Sequence, residues 1–543
     1  MDIKGSGTRR TMLKAGVAIA ALTAAAGVLA ACDNKAEAPA TPTAPPASAA
    51  PVATTTAGKV KGFVEDGVNG FKGVRYGADT GKNRFGPPAA PEPWTDVKDA
   101  VAYGDSTPQN PGGDGGGLFK SWRPQPGPGQ SEDCLFLNVW TPALDDKKRP
   151  VMVWFHGGGF TTGSGSSLAY DGVRLAKRGD VVVVTVNHRL NVFGHLNLEK
   201  YGPEFADSAN VGSLDMIHAL KWVRDNIPAF GGDPGKVMIF GQSGGGAKIC
   251  TLLAMDGAKG LFHRGIIESG PRIKHATMEA SGKAADAFVA KLGLTKANLA
   301  EIKTKPVADL LAAFKEVPAA GSGPVLDGRS ITRDPFDADS PSVSNDIPVM
   351  IGCCRTEGTS LVAANTKPFD ITWDTLPAEL KKSFPKKDPA KIIAAYKKVQ
   401  PNIEAPEVWF EANSDARFFQ GSVTIADRRS AAAGAAPIYF YEVDWVTPVM
   451  DGKRYVPHAL EIGMVFDNVA KSESMSGTEP EAQQLADIMS ETWIAFTKTG
   501  DPNNAKIPMW PAYNAKDRPM MVFKQKPEVQ NDIRKDERAL LTA

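Results

Sequence analysis

A chain of 543 residues with 42% apolar and 23% charged side chains has the composition of a globular protein and room for one large domain or several ordinary ones. Its 62 Lys and Arg against 61 Asp and Glu leave a net charge of +1, which gives no footprint for nucleic acid or a strongly acidic partner. Five cysteines are too few for a disulfide scaffold, and no long internal apolar run reads as a membrane span.

Residues 1–32 read as an export segment rather than as structure. Thr8-Arg9-Arg10-Thr11-Met12-Leu13-Lys14 resembles a twin-arginine signal, and an Ala-rich apolar run from Ala15 to Leu29 follows it. The run ends in Leu29-Ala30-Ala31-Cys32, which resembles a bacterial lipoprotein cleavage box. Both halves in this order make Cys32 the candidate for lipidation. The expectation is an exported protein, anchored by lipid to a membrane and facing the periplasm or the cell exterior. Asp33 resembles the residue that keeps some lipoproteins at the inner membrane. Residues 33–57 are mainly Ala, Pro and Thr, cannot bury a core, and read as an extended tether. That leaves 58–543 as a single domain.

Within it, apolar strands are predicted at Val151–Phe155, Val181–Val186, Val237–Phe240, Gly265–Ile267, Val349–Cys353 and Ile438–Val443. Runs of Val and Ile suit strands buried on both faces, as in a parallel sheet. Helical patterns lie between them. Met216, Ala219, Leu220, Val223 and Ile227 recur at helical spacing and make one apolar face. Alternating strands and helices argue for a doubly wound α/β fold. The long intervals 270–345 and 365–435 carry helical patterns and read as insertions around a site.

The first strong strand runs into His156-Gly157-Gly158-Gly159-Phe160, where glycines bare backbone N–H groups of the kind a developing oxyanion needs. A second glycine run, Gly112–Gly117, reads only as a flexible loop. The strand Val237–Phe240 ends at Gly241-Gln242-Ser243-Gly244-Gly245, and Ala247–Met255 then has helical composition. Strand, sharp turn with Ser at its apex and helix is the context of a nucleophile elbow. Such a turn strains the Ser backbone and leaves no room for side chains two residues to either side, which Gly241 and Gly245 lack.

An activated Ser needs a base and an acid, in chain order Ser, acid, His. Of seven histidines, His156, His188, His195 and His218 precede Ser243, and His263 and His275 follow too closely for an acid to intervene. His458 remains, in the loop-like stretch Val456-Pro457-His458-Ala459. For the acid, Glu357 follows the strand Val349–Cys353, on the side where open α/β sheets place their sites. Other acids also lie between Ser243 and His458. No cluster has metal-ligand spacing, so no metal or cofactor is expected.

Taken together, these motifs resemble the type-B carboxylesterase family, relatives of acetylcholinesterase and bacterial para-nitrobenzyl esterases. The likeness runs through Phe71-Lys72-Gly73-Val74-Arg75-Tyr76, Glu132-Asp133-Cys134-Leu135, Asn187-His188-Arg189-Leu190, the block from Asn210 to Gly246, Phe262-His263-Arg264, Thr499-Gly500-Asp501-Pro502 and Trp510-Pro511. It implies an α/β-hydrolase fold, a central mostly parallel sheet flanked by helices with large helical insertions. It also implies a small-molecule ester substrate reached down a gorge, with Ser243 as nucleophile, Glu357 as acid and His458 as base. The backbone N–H groups of Gly158, Gly159 and Gly244 would form the oxyanion hole. Amide or carbamate hydrolysis by the same triad is the alternative reaction. A non-catalytic binding protein of this fold is the alternative class, against which stand three chemically competent triad positions.

The chain departs from the family pattern in places. Gln242 stands where Glu is usual before the nucleophile, Ala459 where Gly follows the His, His188 where Tyr is usual and His195 where Phe is usual. Cys134 occupies a position that in many relatives pairs with an upstream Cys, but the counterpart region here is Ser106-Thr107-Pro108-Gln109, so Cys134 is expected to be a buried free thiol. The segment Gly112–Gln130, with Phe119 and Trp122, is a candidate for the gorge mouth.

Overall fold

In the computed structural model, which describes residues 50–542 except 126, 363 and 364, the six predicted strands form the middle of one sheet. In chain order the strands of that sheet are β1 (Phe63–Glu65), β2 (Val68–Arg75), β3 (Phe136–Thr141), β4 (Arg149–Phe155), β5 (Val182–Val186), β6 (Gly232–Gln242), β7 (Arg264–Glu268), β8 (Val349–Cys354), β9 (Ile438–Val443), β10 (Pro519–Phe523) and β11 (Glu528–Asn531). They lie side by side as β11-β10-β9-β8-β7-β6-β4-β5-β3-β2-β1. From β5 to β10 every neighbouring pair runs parallel, and the pairs outside that block are antiparallel. This is the α/β-hydrolase architecture expected from the sequence.

The parallel strands are apolar on both faces because both faces are covered. Along β4, Val151, Val153 and Phe155 join one core, while Met152 and Trp154 join the other. The first core takes the helix Val211–Asn226, whose predicted face Met216, Ala219, Leu220 and Val223 is wholly buried. The second takes the twenty-residue helix Pro480–Thr499 through Leu485, Met489, Trp493 and Phe496.

The two long intervals are helical insertions with small cores of their own. One gathers Phe288, Val289, Leu310 and Phe314 from the helices Met278–Lys291 and Val307–Glu316. The other gathers Leu376, Leu380, Ile392, Tyr396 and Val408 from three helices between Leu376 and Ser414.

The boundary of the tether needs correction. Residues 50–57 belong to the folded body, because Val52–Thr54 pairs antiparallel with Lys59–Lys61 and buries Ala53, Thr55 and Ala57. Small residues that cannot nucleate a core still fit the edge of one already formed. Residues 1–49, with Cys32, lie outside the described ones.

Candidate active site

The elbow is built as its sequence requires. Ser243 has φ 59° and ψ −121°, a conformation that L side chains rarely adopt. Its N–H donates to Glu268 O at 2.8 Å, which ties the turn to the end of β7. The helix Gly244–Leu253 begins at the next residue. A side chain at 245 could not be housed, since a Cβ there would lie 2.1 Å from Phe155 O.

The glycine loop after β4 lies against this turn. Gly158 and Gly159 both take positive φ, 84° and 64°, which turns the loop back on itself, and Thr161 and Thr162 N–H groups donate to Gly158 O. A Cβ on Gly244 would lie 2.4 Å from Gly159 N, so the two backbones touch with nothing between them. Three N–H-bearing residues, two from the loop and one from the start of a helix, thus meet beside Ser243. The positive end of that helix adds to the potential there.

Glu357 and His458 come together from segments a hundred residues apart. Glu357 follows β8, is fully buried, and accepts the Cys354 N–H at 2.8 Å on Oε1. Its Oε2 accepts a hydrogen bond from His458 Nδ1. The two segments are laced by the backbone as well: Thr356 Oγ1 donates to Val456 O at 3.0 Å, and Ser360 Oγ donates to His458 O at 3.1 Å. Because a carboxylate can only accept, Nδ1 carries the proton and Nε2 presents a lone pair when the ring is neutral. Ala459 sits at φ 74°, a left-handed position, which gives the physical reason why glycine suits the residue after this His.

Ser243 and His458 line one cavity of about 620 Å³, together with Gly157, Gly158 and Gln242. Phe119, Trp122, Tyr170, Leu361 and Ile462 give it apolar surface, and Gln109, Arg123 and Ser167 add polar groups to the same lining. Phe119 and Trp122 therefore lie where a gorge lining was expected. Gly112, Gly113 and Gly115 form part of the same wall, within the segment Gly112–Gln130 expected at the gorge mouth, so their run does not act merely as a loop.

Beside Gln242, which the sequence flagged, three groups around the site were missed: Glu461, Phe418 and Lys248. Glu461 lies one helical turn past His458, fully buried, accepting from Ser269 Oγ at 2.9 Å and from Cys354 Sγ at 3.1 Å. Burial, with the neighbouring Glu357 charge next in weight, raises its carboxyl above the ordinary range. Gln242 lays its amide against the imidazole, 3.3 Å from both ring nitrogens of His458. Phe418, in the π-helical turn Asp415–Phe419, packs its ring 5.1 Å from the same imidazole. Lys248, on the helix after Ser243, is wholly buried. A single charged residue in an otherwise uncharged helix is the one sequence signal that could have flagged it. Among the described residues no group of three or more His, Cys, Asp or Glu is placed to hold a metal ion.

A family model for the carboxylesterase family matches residues 49–541, which is nearly the whole described body. The chain belongs to the carboxylesterase family. This carboxylesterase is 37% identical to the para-nitrobenzyl esterase of Bacillus subtilis strain 168 over 502 residues, covering 90% of the chain and 98% of that relative. It is 34% identical to the phenmedipham hydrolase of Pseudarthrobacter oxydans over 489 residues, covering 87% and 94%. Among solved structures, the Geobacillus stearothermophilus carboxylesterase superposes with a TM-score of 0.78 at 35% identity, covering 90% of this chain and all of that one. The protein is a carboxylic ester hydrolase.

Proposed function

We propose that this carboxylesterase cleaves its ester by acyl transfer to Ser243. His458 acts as general base and Glu357 as the acid that orients it, and the N–H groups of Gly158, Gly159 and Gly244 receive the oxyanion. The observation that carries the reading is one line of contacts: a fully buried Glu357 carboxylate bonded to His458 Nδ1, on an imidazole that shares a cavity with Ser243. With Nδ1 donating, Nε2 is free to take the Ser243 proton as Oγ attacks the carbonyl. Glu357 stabilises the imidazolium that forms. The imidazolium then protonates the leaving alcohol, and water, activated in the same way, releases the acid. Preorganised N–H donors around the tetrahedral oxygen supply roughly several kcal/mol of transition-state stabilisation.

Ser243→Ala, Glu357→Gln and His458→Ala should each lower turnover of a nitrophenyl ester by several orders of magnitude, with circular dichroism unchanged. A folded Glu357→Gln protein with near-normal activity would remove Glu357 from this role.

The substrate is a neutral small-molecule ester. A cavity of about 620 Å³ walled by Phe119, Trp122 and Tyr170 has room for an aromatic acyl or alcohol group. The likeness to a protein named for phenmedipham hydrolysis makes carbamates the second substrate class to test. A panel of nitrophenyl esters of rising acyl length, with aryl esters, aryl carbamates and anilides, ranks these by kcat/KM.

Cys32 is proposed as the lipid attachment point of an exported protein, on the twin-arginine and lipoprotein-box pattern of residues 8–32. The wild type should fractionate with membranes, and Cys32→Ala should be released or misprocessed. Recovery of the wild type wholly in the soluble fraction would rule lipidation out.

A further inference from the structure

The helix that follows Ser243 buries a cation without a counter-ion. Lys248 lies one turn past Gly244, has no exposed surface, and donates from Nζ to the main-chain carbonyl of His156 at 2.7 Å. His156 is the residue immediately before the Gly157-Gly158-Gly159 loop. Among the described residues no carboxylate is set against Lys248, and burial alone pushes its ammonium down to about 7.

Its surroundings are aromatic rings and imidazoles. The Phe160 ring is 5.7 Å from Nζ, His156 stacks on His188 with centroids 5.0 Å apart, and His195 meets Phe160 edge-on at 5.3 Å. Each imidazole spends its Nδ1–H on a carbonyl: His156 on Gly157 O at 2.8 Å, His188 on Arg189 O at 3.0 Å, His195 on Ala209 O at 3.3 Å. Each therefore keeps a lone pair on Nε2, and all three Nε2 atoms are buried without a hydrogen-bond partner among the described residues. Burial, and after it the Lys248 charge, holds His156 and His188 well below the ordinary range, so they stay neutral. Two other cations face this group: Arg272, whose guanidinium lies 5.1 Å from the Phe160 ring, and Arg189, whose charge reaches His195 and is paired with Asp215.

An isolated buried ammonium is costly, and a methionine would fill the same space without that cost. Its position suggests what offsets it. Lys248 belongs to the helix that begins at Gly244 and is bonded to the loop that carries Gly158 and Gly159. It thereby joins the two halves of the oxyanion-hole donor set. A carboxylate partner would cancel its field, whereas a neutral carbonyl acceptor and neutral imidazole neighbours leave the charge in force.

We propose that Lys248 is a positioning residue for the oxyanion hole: through the His156 carbonyl it locks the glycine loop to the helix after Ser243, and from behind that loop it places a positive charge that favours the tetrahedral oxyanion over the bound ester. The inference rests on the roles proposed above for Ser243 and the glycine N–H groups.

The test is Lys248→Met, which keeps the bulk and removes both donor and charge. Active sites are counted by covalent labelling with an aryl phosphonate, so that misfolded protein is excluded. Turnover of p-nitrophenyl acetate per labelled site should fall 10- to 100-fold with KM changed by less than threefold. Affinity for an aryl trifluoromethyl ketone, which binds as an oxyanion, should weaken by the same factor as kcat/KM. A variant that is merely less stable would lose labelled sites but keep kcat per site. The wild type supplies an arm that needs no variant: its kcat should decline between pH 7 and 9 as the ammonium is lost, and Lys248→Met should flatten that limb. Turnover per site within twofold of wild type, ketone affinity unchanged, or a wild-type kcat flat across pH 7 to 9 would each overturn the proposal. Ser243→Ala, run alongside, separates the two readings: if it is inactive and unlabelled while Lys248→Met is normal, only the role of Lys248 fails.

Discussion

Gln242 stands directly before the nucleophile, where the family resemblance leads one to expect Glu, and so removes a charge from the site. Its amide lies against both ring nitrogens of His458, and only 2% of its surface is exposed. The usual Glu would add a third carboxylate to a pocket that already buries Glu357 and Glu461. Gln242→Glu should therefore make the imidazole hold its proton more tightly, moving the acid limb of the pH–kcat/KM profile upward. An added charge in contact, partly screened, is worth on the order of 1–2 kcal/mol. The same change should shift preference toward cationic esters, whereas the wild type should cleave neutral esters at least as well as choline esters of equal acyl length. Paired substrates measure this directly, and a clear choline-ester preference in the wild type would contradict it. The residue was legible in the sequence as a departure. Its contact with the ring was not, because that depends on how β6 and the loop holding His458 approach each other.

The elements around the site carry their own requirements. At the elbow, the start of the helix Gly244–Leu253 lies so close to the end of β4 that Gly245→Ala would drive a Cβ into Phe155 O. Backbone cannot yield there without moving both elements, so the variant should lose roughly 4 kcal/mol or more, or fail to fold. Denaturant unfolding checks this, and a loss under 1 kcal/mol would show that the turn is slack. One strand away, Glu268 ends β7 fully buried, accepting from Trp493 Nε1 at 2.7 Å while its Oε2 has no partner. Burial first, and the neighbouring Glu461 second, raise this carboxyl well above its ordinary range. The folded state thus holds a proton that the unfolded chain releases near pH 4 to 5. Stability from this group is full below that range and is lost as pH rises toward the folded-state value. Glu268→Gln removes the titration, so the gap in Tm between variant and wild type should move in favour of the variant as pH rises from 5 to 9. A gap that does not change with pH would mean that Glu268 is ionised in the native protein.

Over the whole molecule, no disulfide closes the described body. Cys134, Cys250, Cys353 and Cys354 are free and buried. Burial pushes the thiols of Cys134 and Cys250 up to about 12 and those of Cys353 and Cys354 well above their ordinary value. Thr107, from the segment where many relatives carry the partner cysteine, sets its hydroxyl 3.3 Å from Cys134 Sγ and takes that place with a hydrogen bond. Native protein lacking Cys32 should react negligibly with a thiol reagent at pH 8 and release four equivalents on denaturation. Fast reaction in the native state, or a denatured count of zero, would refute this.

What the chain determines alone, and what needs the fold, divides along one physical line. Six of the seven parallel strands were readable because burial on both faces writes itself as runs of Val and Ile; β10, which reads Pro-Met-Met-Val-Phe, was not predicted. The elbow was readable because its steric demands select glycine at fixed offsets from Ser243. Seven histidines and a required chain order left few choices for the base. The antiparallel strands β1, β2 and β11 were harder, since short or partly exposed strands impose weaker patterns, and the buried β3 was not predicted either. The first residues of the body were read as tether because Ala and Thr carry little signal until a neighbouring strand covers them. Nothing in local pattern could set Phe418 against His458, bury Glu461 behind it, or put Lys248 under the His156 carbonyl. Those contacts join segments far apart in the chain. They are decided by packing, which a one-dimensional pattern does not encode.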